Sequence, residues 1–252
     1  PITKTIPKEL LPVGTKPVIH YIIEWLVQAG ISDILMVTSQ HKKALEDYFD
    51  KNYELEETLI KKWKTQALDA INQPKLMANF TFVKQKEQLW TWHAIMQAAP
   101  WIQDEYVMVV YGDEIHHPKI YQEMIALHHQ THKGVMLGKQ VAREDISKYG
   151  ILDIQDGHIV NILEKPSPSE APSNYALFTP FIWPRRVLDL LASSAPHPET
   201  GEIYPRDAVK SIMDQEGILL YESPHPMRDA SWNPESRLQT NIEFAQNPDI
   251  LK

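Results

Sequence analysis

The run Tyr106-Val107-Met108-Val109-Val110-Tyr111, closed by Gly112-Asp113, constrains the fold more than any other stretch. An apolar run of that length with valines and aromatics predicts a strand buried on both faces. Ile34-Leu35-Met36-Val37, Phe80–Val83 and 134–140 repeat the signal more weakly. Helical spacing falls between them at 17–29, 41–49, a long charged stretch over 54–71, 93–99 and 118–130. Strands alternating with helices argue for an α/β fold, Rossmann-like and doubly wound, with a mixed and mostly parallel sheet.

After Gly150 the pattern changes. Residues 151–154 and 158–163 flank Asp156-Gly157 and read as a hairpin. A strand follows at 175–182, helices at 185–194 and 206–215, a strand at 218–222 and a last helix at 234–245. With 252 residues, 43% of them hydrophobic, the chain fits one large domain. Its pattern divides into a first half, 1–140, and a second, 141–252.

A net charge of −8 argues against a general nucleic-acid surface. No apolar run approaches the roughly 20 residues of a membrane helix, so neither nucleic acid nor membrane is an expected partner. Zero cysteines excludes disulfides and thiolate chemistry and suits a cytoplasmic setting. The pairs His116-His117 and His128-His129 are sequence neighbours, which do not face one metal together. No Gly-x-Ser-x-Gly elbow or Walker loop occurs.

Asp113 is the first candidate for chemistry. It ends a buried strand, and open α/β sheets bind ligands beyond the carboxyl ends of their strands. A carboxylate there can hold Mg²⁺ against phosphate oxygens. On local sequence alone, an Asp capping a turn competes with that assignment. Lys165 precedes Pro166, which favours an extended conformation for it.

Pro7-Lys8-Glu9-Leu10-Leu11-Pro12, then Gly14-Thr15-Lys16-Pro17 and a helix, resembles the opening of sugar-1-phosphate nucleotidyltransferases. The resemblance is strongest to the bacterial UTP–glucose-1-phosphate uridylyltransferases. Tyr149-Gly150, Glu164-Lys165-Pro166, Ala171-Pro172-Ser173-Asn174, Gly201-Glu202-Ile203 and Asp207-Ala208 extend it in the same order, over essentially the whole chain. It implies an enzyme making UDP-glucose and pyrophosphate from UTP and glucose 1-phosphate. Asp113 and Asp229 would hold Mg²⁺, Lys8 the nucleotide phosphates, and Lys165 with Glu164 the sugar phosphate. Gln85 would read the base, beside Gly112 and His93, and Gly150 would allow close approach to the sugar. Family members are often dimers or tetramers, and Trp63 on the charged helix is the candidate interface residue of a homo-oligomer.

Three departures stand out against the family pattern. The family's first strand and its Gly-rich phosphate loop have no counterpart ahead of Lys8. Losing a central strand would cost its neighbours about ten ladder bonds at roughly 1 kcal/mol each, against a total stability of about 5–15 kcal/mol. Trp90 and Trp92 stand where the family has glycines against the base. Their indoles would fill the base pocket, stack on the base, or turn into the core. Ser231-Trp232-Asn233 replaces the glycine that follows Asp229 in the family. Two other functions therefore stay open: an inactive relative serving as a binding or scaffold protein, and a sister enzyme using another nucleotide or sugar.

Overall fold

A computed structural model describes residues 2–87, 89–193, 206–225, 228–229 and 234–247. Along the chain its elements are β1 (Pro12–Val13), β2 (Lys16–Pro17), α1 (Val18–Gln28), β3 (Asp33–Thr38), α2 (Lys43–Phe49), α3 (Tyr53–Lys61), α4 (Thr65–Leu76) and β4 (Asn79–Lys84). Next come α5 (Trp90–Met96), β5 (Tyr106–Val109), β6 (Glu114–Ile115), α6 (Lys119–Thr131), β7 (Gly134–Gln140), β8 (Gly150–Gln155) and β9 (His158–Glu164). The remainder are β10 (Tyr175–Pro184), α7 (Arg186–Ser193), α8 (Arg206–Glu216), β11 (Ile218–Glu222), β12 (Arg228–Asp229) and α9 (Pro234–Gln246). Residues pack into two compact units, one of Pro1–Lys86, Gly112–Pro118 and Met227–Lys252, the other of Glu87–Tyr111 and Lys119–Pro226.

In the first unit, α1 buries Val18, Ile19, Tyr21, Ile22, Ile23, Trp25 and Leu26, so nearly its whole circumference is core. The helix stops at Gly30, whose φ of 94° only glycine adopts without strain. Strand β3 alternates a buried Ile34 and Met36 with half-exposed neighbours and pairs in parallel with β4 from Asp33↔Asn79 to Thr38↔Lys84. Helix α9 lies against β1 and β12, with the Phe244 ring edge-on to Tyr21 at 6.3 Å. The expected single helix over 54–71 is two. Trp63, at φ 54° and 88% exposed, breaks it between α3 and α4. Lys61, Lys62 and Lys64 carry the charged stretch through that break without a glycine or proline, so composition did not reveal it.

The second unit is built on a six-stranded sheet in the order β5-β10-β7-β11-β9-β8. Period-two alternation divides its side chains. Met136, Phe181 and Trp183 face α5, α7 and α8 in one buried cluster; Val135, Leu137 and Ile182 face Ile120 and Met124 of α6 in another. The hairpin of β8 and β9 turns through Asp156 (φ 49°) and Gly157 (φ 76°), as expected for a two-residue turn. The sheet is mixed, but the expected parallel majority is corrected: β11 runs parallel to β7, whereas β10 is antiparallel to β5, β7 and β8, and β9 is antiparallel to β8 and β11. The physical reason is β10, a long strand that returns between β5 and β7 and reverses direction against both. Among the described residues β3 has a ladder partner on one side only, and so has β5.

Candidate functional site

Asp113 follows β5 and belongs to the first unit. Its carboxylate is 4% exposed and ion-paired with the Lys8 ammonium, which reaches it from a single turn of 3-10 helix at Lys8–Leu10. Burial raises the Asp113 pKa, Lys8 opposes that shift, and the negative charges of Glu114 and Glu9 reinforce it. Desolvation therefore wins over a partner that is itself more than a third exposed. A carboxylate held in this way is under-compensated and favours additional positive charge.

Asp229 comes near by a backbone route. Strand β12 pairs antiparallel with β6, placing Asp229 opposite Glu114, the residue after Asp113. Opposed residues in such a ladder lie about 4.5–5.5 Å apart at Cα, so the Asp229 backbone stands beside Glu114, one residue from Asp113 along the chain. The Asp229 side chain and Ser231-Trp232-Asn233 lie outside the described residues. Among the described residues no group of three or more His, Cys, Asp or Glu side chains is placed to hold a metal ion; Asp113 together with Asp229 would supply the carboxylate oxygens that a hard divalent cation prefers. Gly112 is tightly packed, since a Cβ there would stand 3.1 Å from Ile19 Cδ1 and 3.2 Å from Glu9 Cγ. Gln85 sits just past β4, its N–H donating to the Thr38 carbonyl at 2.8 Å. It thus occupies the carboxyl ends of two parallel strands.

Sequence reasoning passed over Glu9 and Lys42. Glu9 is 7% exposed, and its Oε1 accepts from Lys42 Nζ at 2.5 Å. The only signal was a glutamate directly after Lys8, which reads equally well as a solvated charge.

The second unit carries the remaining candidates. Gly150 opens β8 directly opposite Glu164, and a Cβ on it would come within 3.1 Å of Glu164 Oε2. Lys165 departs from expectation: it is held at φ 44°, in the left-handed region, not extended. Its N–H donates to the Tyr149 carbonyl at 3.0 Å, and this bond closing the β8–β9 ends outweighs the preference imposed by Pro166. For Trp92 the core reading prevails over a place against the base. Its indole, half-buried, stacks near Trp183 (5.7 Å) and Phe181 (6.3 Å) and packs against the cluster they belong to. A helix that starts at Trp90 instead of 93 turns Trp92 inward. The Trp90 side chain lies outside the described residues, as does Gly201-Glu202-Ile203. His93, half-buried one residue on, has Gln97 Nε2 3.3 Å from its Nε2.

The model of the family described as nucleotidyl transferase matches residues 1–232. The chain belongs to that nucleotidyl transferase family. A putative UTP–glucose-1-phosphate uridylyltransferase of Methanocaldococcus jannaschii is 37% identical over 227 residues, covering 88% of this chain and 80% of the relative. A UDP-glucose pyrophosphorylase solved in complex with UDP-glucose superposes with a TM-score of 0.81 at 29% identity, over 98% of this chain and 93% of that one. The UTP-bound enzyme from Acinetobacter baumannii gives 0.86 at 26% identity, over 99% and 90%. This nucleotidyl transferase thus shares its fold with structures solved with UTP and with UDP-glucose. No described helix is long and apolar enough to cross a membrane.

Proposed function

We propose that this nucleotidyl transferase makes UDP-glucose and pyrophosphate from UTP and glucose 1-phosphate. The observation that carries the assignment is the buried Asp113 carboxylate, paired with Lys8 and joined by Asp229 through the β6–β12 ladder. A phosphate oxygen of the sugar phosphate attacks the α-phosphorus of UTP, and the bond from that phosphorus to pyrophosphate breaks. No protein nucleophile is needed, because positioning and charge neutralisation lower the barrier.

Lys8 neutralises nucleotide phosphate charge, exchanging Asp113 for phosphate oxygens as substrate enters. Asp113 and Asp229 would hold Mg²⁺, which supplies charge neutralisation on the phosphates when bound. Gln85 presents its amide to the base from the end of β4. Lys165 takes the sugar phosphate, with Glu164 and the bare Gly150 backbone beside it. The left-handed backbone at Lys165 supports this role, since strain of that kind persists where a side chain must be aimed.

Initial rates of UDP-glucose formation from UTP, glucose 1-phosphate and Mg²⁺ test the proposal, with dTTP and other nucleotides as competitors. Turnover that selects UTP supports it. Micromolar UTP binding without pyrophosphate release points to the inactive relative, and preference for another nucleotide points to a sister enzyme.

A further inference from the structure

We infer that Lys42 is a positioning residue of the nucleotide-phosphate site, acting through its ion pair with the buried Glu9; this rests on the function proposed above. Lys8 and Glu9 are consecutive residues of one short turn, and they face opposite charges. Lys8 meets Asp113; Glu9 meets Lys42, which arrives on the 3-10 turn Gln40–Lys42 just after β3. Glu9 lies flat on the backbone of Gly112, its Cγ 3.2 Å from where a Cβ would stand, and so one residue from Asp113.

Glu9 has no reserve of partners. Its Oε1 takes the Lys42 ammonium at 2.5 Å, while its Oε2 is buried with no hydrogen-bond partner among the described residues. Removing one member of a buried pair leaves an uncompensated charge, which costs far more than removing both. Without Lys42, the nearest cation of the same turn is Lys8. Glu9 would then compete with Asp113 and with substrate phosphate for the Lys8 ammonium. Lys42 prevents this by neutralising Glu9 from the far side, and it touches no substrate itself.

The test compares Lys42→Met, Lys42→Arg and the double variant Lys42→Met/Glu9→Gln with the wild type, by initial rates with each substrate varied and by melting temperature. Lys42→Met is expected to lower kcat/KM for UTP about 10–100-fold, as losses behind a ligand-orienting group do. Its KM for glucose 1-phosphate should stay at the wild-type value. Lys42→Arg keeps the charge, and the double variant removes the stranded anion, so both should recover most of the loss. A purely structural role would show only in the melting temperature, lowered in Lys42→Met and restored in the double variant, with kcat/KM for UTP of the folded enzyme unchanged throughout. Full activity in Lys42→Met, or a double variant as impaired as the single one, overturns the inference. Should Lys42→Met fail to fold, the double variant decides by the same criterion. A wild type that makes no UDP-glucose overturns the proposed function and this inference together; an active wild type with a fully active Lys42→Met overturns the inference alone.

Discussion

Replacing Lys165 by glycine should make the protein more stable and less active at once. At φ 44° an L-residue carries a steric penalty of about 1–2 kcal/mol that glycine escapes. Against this, glycine loses about 0.5–1 kcal/mol more backbone entropy on folding. The net gain is about 0.5–1 kcal/mol, or roughly 1–4 °C in melting temperature for a chain of this size. The Lys165 N–H bond to Tyr149 is a backbone bond and survives the change. Catalysis loses an ammonium bonded to phosphate, about 1.5–3 kcal/mol, which is roughly 10–100-fold in kcat/KM for glucose 1-phosphate. Thermal unfolding and initial-rate kinetics on the same preparation read both effects. Lys165→Ala separates them, because it loses the ammonium yet keeps the strained Cβ, and should melt below the glycine variant. A glycine variant that melts several degrees lower would show that the lysine side chain stabilises the fold. One with wild-type kcat/KM would show that its ammonium takes no part in turnover.

Asp113→Asn should abolish turnover in a UDP-glucose assay while shifting the melting temperature little, since the amide escapes the desolvation that raises the carboxyl pKa and Lys8 can turn to water. Gly14→Ala should destabilise by about 2–4 kcal/mol in urea unfolding: its φ of 59° disfavours a side chain, and a Cβ would stand 2.1 Å from the Phe244 ring. Glu24 sets an acid limit on stability. Partial burial would raise its pKa, but hydrogen bonds from His20 and Lys16 outweigh that and hold it at about 2, below the ordinary 4.5. A lowered folded-state pKa gives stability that is present above 4.5 and is lost as pH falls toward 2. Discounted for solvent screening, the loss is about 1–2 kcal/mol, and Glu24→Gln should flatten that part of the stability–pH curve.

The positions of most strands and helices were legible because strands and amphipathic helices leave different periods, as in β8–β9, but Tyr106–Val109, read as buried on both faces, is half-buried throughout. Backbone departures were not. The left-handed residues Trp63 and Lys165 are non-glycine, so composition carries no mark of them. The direction of Trp92 stayed open because it depends on where α5 begins, a boundary that shifts by two or three residues without changing the pattern. Of the candidate site, Asp113, Lys8 and Asp229 were named from motifs; Lys8 pairs with Asp113 through side chains, and the ladder of β6 and β12 sets Asp229 opposite Glu114. The Glu9–Lys42 pair was invisible, since nothing in a string of charges says which are buried.

The first compact unit is assembled from three separated stretches, the last of them Met227–Lys252. During synthesis, Asp113 emerges long before the β12 residues that will lie beside it. Contacts so remote in sequence close late, because loop entropy is lost before they form. A ribosome-bound nascent chain should therefore complete its sheet-rich second unit first, and pair β12 with β6 only when the Met227–Lys252 stretch folds back.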